Sequence, residues 1–301
     1  MSHSMKIIIG LVIFFIIVLF GLVSGIHQVA AERMMAKDAK GKNSEKAPQE
    51  EIGESERKSA GLKSSLKFTV LYDNYVFQKG TKSDWGFSCL IEGTEKIILF
   101  DTGTRSEILF HNISQLKVDL DKVEQIVISH LHGDHTGGLL AVLEKTHDVQ
   151  VYLPISFPAE FVRRVEAKKA KVLSVDEPIE ICRHVYLTGE MGERIKEQSL
   201  IINTNKGLII VTGCSHQGIL NILKRAIDLF DKQIYLVLGG FHLLEKSDKE
   251  LMEIIRNFKE IGVLKCGATH CTGDRALELF KQTYGDDFVP MGTGRILEVN
   301  H

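Results

Sequence analysis

The sequence has few of the features that mark disulfide-stabilised or nucleic-acid-binding proteins. Its five cysteines are an odd number and include no Cys-x-x-Cys pair, which argues against a disulfide framework and fits a reducing compartment. The formal net charge is only −2, so no overall field predicts binding to nucleic acid or to acidic lipid. Apolar residues make up 44% of the chain, an ordinary share that predicts a globular core.

One long hydrophobic run stands near the N-terminus, from Ile7 to Val23. At about 1.5 Å per residue, an uncharged run of this length nearly spans a bilayer core of roughly 30 Å. Residues 1–31 are therefore predicted to be a single-pass membrane anchor, with a cleaved signal peptide ending near Ala31 as the alternative. Basic residues are denser after the run than before it, which places the rest of the chain on the cytoplasmic side.

Aromatic residues are missing between Phe20 and Phe68. Such a polar, charge-mixed stretch buries too little apolar surface to offset the entropy of ordering, so residues 32–65 are predicted to be a linker. Strand-like and helix-like segments alternate from residue 66 to 301, in two mixed series, and Val289–Met291 is predicted as the last strand. Two such series predict one domain of two sheets packed face to face, with helices outside.

Histidines follow apolar, strand-like runs at several places, and the densest group lies in residues 130–135, which read His-Leu-His-Gly-Asp-His. Three imidazoles and a carboxylate within six residues suit Zn²⁺ or another borderline divalent cation. In a turning loop, His130 and His132 can bind one ion while Asp134 and His135 face a second. Loops at strand ends are where protein scaffolds place ligands and catalysts, so a metal site is predicted here.

Five further residues are candidates for the same site. His216 and His270 each follow an apolar run and are predicted metal ligands. Cys214 could bind through a thiolate, with a buried core cysteine as the alternative. His242 could lie beside the metal ligands or line a substrate pocket. Asp101 ends a buried strand, where a carboxylate needs a partner, and is predicted to orient the metal-binding loop, with a plain turn as the alternative.

The His-x-His-x-Asp-His run, together with Asp101-Thr102-Gly103, resembles the metallo-β-lactamase superfamily over about residues 67–300. The resemblance implies an α+β fold, a four-layer αββα sandwich, with one or two divalent metal ions. Zinc is expected first, and Mn, Fe or Mg are alternatives. Superfamily members commonly carry a further histidine and a bridging acid. No such histidine stands in an obvious position here, and Cys214 occupies the place of the acid.

Several stretches, including Thr212-Gly213-Cys214-Ser215-His216, resemble the superfamily branch named for dihydropterin-ribofuranosylaminobenzene phosphate synthase. The resemblance implies a metal-dependent hydrolase that uses a metal-activated hydroxide on an ester or phosphoester, with Asp134 as ligand and catalytic residue. A pterin-type transferase is one alternative, and a non-catalytic membrane-bound metal-binding protein is another. A small-molecule substrate is expected, the N-terminal helix is expected to contact the membrane, and no nucleic acid partner is expected.

Overall fold

The computed structural model describes residues 65–300. The predicted membrane anchor (1–31) and all of the predicted linker except Ser65 lie outside the described residues, and Ser65 itself begins the first strand. Among residues 65–300, no helix combines the length and the apolar character needed to cross a bilayer.

Thirteen strands within the described residues form two sheets. The first sheet has the order β13-β1-β2-β3-β4-β5-β6 and the second has the order β12-β11-β10-β9-β8-β7. The strands of the first sheet are β1 (Ser65–Tyr72), β2 (Ser88–Glu92), β3 (Ile98–Phe100), β4 (Gln125–Val127), β5 (Gln150–Pro154), β6 (Lys171–Val175) and β13 (Ile296–Asn300). Those of the second are β7 (Ile179–Cys182), β8 (Val185–Leu187), β9 (Leu200–Thr204), β10 (Gly207–Thr212), β11 (Ile234–Gly240) and β12 (Lys265–Thr269).

Helices cover the outer face of each sheet. On the first sheet they are α1 (Ser106–Gln115), α3 (Leu139–Leu143) and α4 (Ala159–Glu166), whereas the short α2 (Gly133–Thr136) lies in the loop after β4. On the second they are α5 (Ile219–Phe230), α6 (Asp248–Ile261) and α7 (Asp274–Tyr284). The side chain of Ser247 accepts from the backbone of Glu250, whose side chain accepts in return, so a capping box fixes where α6 begins.

Strand β10 shows how the sequence generates the layers. Ile209 and Val211 belong to the apolar cluster between the two sheets, whereas Leu208 and Ile210 belong to the cluster beneath α5, α6 and α7. Because successive side chains of a strand point to opposite faces, a strand covered on both sides must be apolar throughout. A third cluster joins the first sheet to α1, α3 and α4. The expected αββα sandwich is therefore confirmed for the described residues.

The last strand lies elsewhere than predicted. Val289–Met291 is not a strand, and the chain instead forms β13 at Ile296–Asn300, antiparallel to β1. β13 is an edge strand whose residues are mostly exposed, so its sequence carries little hydrophobic alternation. Its pairing with the first strand of the domain is a long-range contact that no local pattern reports.

Candidate metal centre

The predicted ligands meet because parallel strands of both sheets end at one place. Asp101 follows β3 and His130 follows β4, which is parallel to β3 in the first sheet. Cys214 follows β10 and His270 follows β12, at the two sides of β11 in the second sheet. Carboxyl ends of parallel strands share an edge, so four loops distant in sequence deliver their side chains to one point.

The first group of potential ligands consists of His130, His132, His216 and Cys214. Nε2 of His130 lies 3.1 Å from Nδ1 of His132 and 3.2 Å from Nε2 of His216. The ligand atoms of His130, His216 and Cys214 all lie within 4.8 Å of one another. With metal–nitrogen bonds of about 2.0–2.1 Å, two nitrogens on one tetrahedral ion stand about 3.3 Å apart, which this spacing matches.

The second group consists of Asp134, His135, His270 and Cys214. The Cys214 sulfur lies 3.1 Å from Nε2 of His135 and 3.3 Å from Nε2 of His270. Oδ2 of Asp134 lies 3.5 Å from each of the same two nitrogens. Cys214 therefore belongs to both groups, and its sulfur points into the cluster rather than into the core.

Asp101 and Ser129 fix the protons on two of the imidazoles. Oδ2 of Asp101 lies 2.7 Å from Nδ1 of His135 and accepts the Ser129 hydroxyl at 2.7 Å. An ionised carboxylate only accepts, so the Ser129 oxygen must itself accept from Nδ1 of His130, 2.9 Å away. Both histidines then carry a proton on Nδ1 and direct Nε2 into the cluster. This is the outer-shell arrangement that metal-binding histidines require.

Asn74 does the same for the third buried histidine. Its Nδ2 donates to the carbonyl of His270 at 3.1 Å, so the atom 2.9 Å from Nδ1 of His270 is the Oδ1 acceptor. Nδ1 of His270 therefore donates, and Nε2 is the ring nitrogen that faces Cys214. The donor set and its proton pattern thus fit divalent cations of zinc-like character.

Comparisons with known proteins agree with this geometry. The model of the Metallo-beta-lactamase superfamily matches residues 86–212. The chain is 29% identical over 288 residues to the 7,8-dihydropterin-6-methyl-4-(beta-D-ribofuranosyl)-aminobenzene-5'-phosphate synthase of Methanocaldococcus jannaschii, across 79% of this chain and 98% of that protein. A second, uncharacterised protein of that organism is 31% identical over 268 residues, across 76% and 99% of the two chains. A solved structure of a metal-dependent hydrolase of the beta-lactamase superfamily is 31% identical, with a TM-score of 0.66, across 78% of this chain and 100% of the other.

The chain belongs to the metallo-β-lactamase superfamily. Its resemblance to the branch that contains the pterin-related synthase is also confirmed. Two departures from the superfamily pattern concern His216 and Cys214. His216, on the loop after β10, stands beside His130 and His132. Cys214 stands between the two ligand groups.

The electrostatics of this superfamily site favour cations. Burial, reinforced by the rings of His135 and His216, holds the pKa of His130 well below its ordinary value. Burial and the nearby His242 lower the pKa of His216 to about 3, so both imidazoles are neutral at pH 7. Burial opposes the charge of Asp134, but hydrogen bonds from His135 and His270 hold the pKa of this carboxyl far below its usual range. His130 and His216 therefore present neutral nitrogens, and Asp134 presents an anionic oxygen.

His135 differs from the other imidazoles. Burial alone would lower its pKa, but the carboxylates of Asp101 and Asp134 raise it to about 10. The proton on Nε2 of His135 consequently stays in place at neutral pH unless a cation binds to that nitrogen. Cation binding at this corner must therefore release a proton.

Glu197 is a functional residue that sequence reasoning missed. Its carboxylate accepts from the backbone N–H groups of Ser215 and Gln217, at 3.1 Å each, and so holds the loop that carries Cys214 and His216. Burial raises the pKa of Glu197 to about 7. The only available signal was a lone glutamate before the apolar strand β9, which is too common a pattern to single out. Asn74 and Ser129 were also missed, because a single polar residue after a strand is an equally common pattern.

Four of the nine non-glycine residues with positive φ among residues 65–300 lie at the centre. Non-glycine residues with positive φ include Asp101 at 56°, Ser215 at 65°, His242 at 53° and His270 at 52°. Such conformations cost of the order of 1–3 kcal/mol each and persist where surrounding structure enforces them, which is typical of functional sites.

Three further histidines differ in where they lie relative to the two ligand groups. The ring of His242 lies 4.2 Å from that of His216, so His242 stands beside the first ligand group. His147 and His184 belong to none of the groups of potential ligands within the described residues. His147 lines a separate surface cavity, and the His184 backbone N–H donates to Glu180.

Two adjoining cavities, of about 740 and 700 Å³, open beside the centre, and His216 and His242 line both. Trp85 lines the larger cavity, with its ring 5.2 Å from that of His270. Lys224 and Lys246 also line this cavity, and Arg194 lines the smaller one. Glu245 lines the larger cavity and Glu193 the smaller one, so the walls combine an exposed aromatic ring with three cationic and two acidic side chains.

Proposed function

We propose that the chain is a metal-dependent hydrolase whose substrate is a small phosphoester or a related anionic ester. The observation that carries the proposal is the pair of ligand groups joined at Cys214 and open to a cavity that Lys224 lines. Divalent cations held by these groups would supply Lewis acidity toward a substrate oxygen and acidify a water molecule. His130, His132 and His216 would hold one ion, and Asp134, His135 and His270 the other.

Asp134 is the residue best suited to handle a proton. Its carboxylate is ionised, its side chain is 17% exposed, and one oxygen faces the two histidines of the second group. The other ligands of that group are fully buried and fixed by their own partners. Asp134 is therefore placed both to bind a cation and to accept a proton from the reacting water on the cavity side.

The side chain of Lys224 favours an anionic substrate over a neutral one. Lys224 has no acidic partner among the described residues, whereas Lys246 is paired with Glu250 at 2.9 Å. An unpaired ammonium group beside two cation positions would bind a phosphoryl oxygen. Trp85, which is 48% exposed, offers a ring face for an aromatic or heterocyclic leaving group.

The test is turnover by the full chain loaded with Zn²⁺ or Mn²⁺. Aryl phosphodiesters, aryl phosphomonoesters and neutral aryl esters would be compared. We expect hydrolysis of at least one phosphoester, loss of most of that activity in Asp134→Asn, and a raised KM in Lys224→Ala that neutral esters do not show. Asp148→Asn, at an exposed position away from the ligand groups, is the matched control. Equal turnover by Asp134→Asn, or no hydrolysis of any ester, would contradict the proposal.

A pterin-type transferase is the second candidate, and one observation favours it. The relative that is 29% identical across 98% of its length is a dihydropterin-related synthase. In this alternative the ions would polarise a diphosphate leaving group while an aromatic acceptor attacks. Incubation with a pterin diphosphate separates the two functions. Diphosphate release that requires a ribofuranosylaminobenzene phosphate acceptor indicates the transferase, and release without an acceptor indicates the hydrolase.

A further inference from the structure

Two side chains beside the centre belong to neither of the two ligand groups. Cys271 follows His270 directly, and His242 follows β11 in the Gly-Gly-Phe-His turn. The sulfur of Cys271, the sulfur of Cys214 and a ring nitrogen of His242 all lie within 4.8 Å of one another. These three residues, called here the thiol site, form a third group of potential ligands that has only Cys214 in common with the other two.

Local packing directs Cys271 toward Cys214. A side chain at position 240 would place its Cβ 2.7 Å from the Cys271 sulfur, so glycine is needed there for the sulfur to lie over the end of β11. The Cys271 thiol then donates to the Cys214 carbonyl at 3.5 Å. Both cysteines are buried, and neither is in a disulfide. The two sulfurs are therefore held side by side rather than dispersed in the core.

His242 completes the group from the solvent side. Its side chain is exposed, and its backbone has a φ of 53°, a conformation that is costly for a non-glycine residue. Both His242 and Cys271 line the cavity of about 740 Å³, so an ion can reach them from solvent.

We propose that the thiol site binds a soft, thiophilic cation such as Cd²⁺ or Cu⁺, separately from the two hydrolytic cation positions. Two thiolates and one imidazole form a Cys₂His ligand set, which soft and borderline ions prefer over oxygen-rich sites. The cavity side leaves a fourth position for water. Binding would release the two thiol protons to solvent.

Sharing of Cys214 has a consequence for the proposed hydrolytic centre. An ion at the thiol site draws the Cys214 sulfur away from the ions of that centre. Soft cations should therefore displace Zn²⁺ from the loaded protein. This competition rests on the proposed function, whereas the thiol site itself does not.

The experiment titrates the full-length protein with Cd²⁺ and records cadmium NMR, in which the resonance position reports the number of sulfur ligands. We expect wild-type protein to show a resonance typical of two sulfur ligands, and Cys271→Ser to lose it. Cys266→Ser is the matched control, because Cys266 is equally buried five residues away and lies in the core under the helices. The control should keep the resonance.

His242→Ala is a second variant, which keeps the test valid if Cys271→Ser fails to fold. It removes an exposed ligand, so the buried core is unchanged. It should weaken Cd²⁺ binding by at least about tenfold, the lower bound for losing even an outer-shell partner of a metal. Absence of a two-sulfur resonance in wild type, its persistence in Cys271→Ser, or unchanged affinity in His242→Ala would overturn the proposal. A two-sulfur resonance in a protein without esterase activity would instead refute only the proposed function.

Discussion

At the scale of single residues, the ability of the centre to bind cations depends on which ring nitrogens of its histidines carry protons. Asp101 is fully buried and accepts from the backbone N–H and the hydroxyl of Ser129 as well as from His135. Its negative charge therefore selects the tautomers of two histidines at once. These contacts support the orienting role that is predicted for Asp101 from its place at the end of a buried strand.

Asp101→Asn tests this role. The amide oxygen would stay on the Ser129 N–H, so the amide NH₂ would face Nδ1 of His135 and force the proton onto Nε2, where it blocks the lone pair. We expect metal affinity to fall by about 10–100-fold, the usual effect of removing an outer-shell partner. Metal content after dialysis against graded zinc buffers measures it. Asp148→Asn should behave as wild type, and an unchanged zinc affinity in Asp101→Asn would show that the carboxylate does not orient the ring.

Asp73 predicts a pH dependence of stability. Burial raises the pKa of its carboxyl to about 6 from an ordinary value of 3.8, although Thr269 and the Tyr75 N–H donate to it. The native state holds this proton more tightly than the unfolded state. The stabilising contribution is therefore complete below about pH 4 and is lost as pH rises to 6. At about 1.4 kcal/mol per pKa unit, the loss is about 3 kcal/mol.

Asp73→Asn should remove this dependence. The amide oxygen can still accept the Tyr75 N–H, and no charge is buried above pH 6. We expect the urea-unfolding free energy of the variant to exceed that of wild type at pH 7 and the two to converge near pH 4. The difference between the two pH profiles is the measured quantity, because metal loss at low pH affects both proteins. Parallel profiles would mean that Asp73 does not titrate in this range.

At the scale of elements, the loop after β10 is the most constrained segment of the centre. Gly213 packs against the end of β4, where an added Cβ would lie 2.1 Å from Oγ of Ser129 and 3.0 Å from Oδ2 of Asp101. The close approach brings Cys214 and His216 to the histidines of residues 130–135. The absence of a side chain at position 213 therefore allows the two sheets to approach each other closely at the site.

Gly213→Ala should push the loop away from β4 and reduce the metal content of the protein, with a loss of stability of about 1–3 kcal/mol from overpacking. Gly133→Ala is the matched control, because a Cβ at that position meets nothing within 4 Å. Bound metal per chain and the thermal midpoint are measured for both. A Gly213→Ala protein that binds metal as wild type does would show that the loop can shift without losing its ligands.

At the scale of the whole molecule, the apolar run from Ile7 to Val23 leads us to propose a single-pass membrane protein with a cytoplasmic catalytic domain. We expect the full chain to sediment with membranes and to resist extraction by high salt or alkali, because an inserted apolar helix is not held by charge. Detergent should release it. A secreted protein whose N-terminus is Glu32 would show that the run is a cleaved signal peptide instead.

Local patterns predicted a large part of the fold and of the candidate site. The helix at Ile219–Phe230 follows from apolar residues at helical spacing, and the apolar strand at Gly207–Thr212 follows from its continuous hydrophobic run. His216 and His270 could be selected because each follows an apolar segment. The strand Ile296–Asn300 could not be predicted, since an exposed edge strand shows little alternation.

The sequence by itself determined the main candidate metal ligands, because the dense run at residues 130–135 and the apolar segments before each candidate histidine are local features. Only the tertiary structure decided how these residues combine. Asn74 reaches His270 across 196 positions, and Cys214 meets His135 across 79. Such contacts follow from strand order and register in two sheets, which the spacing of residues along one strand does not encode. The place of Cys214 between two ligand groups is therefore a property of the folded molecule alone.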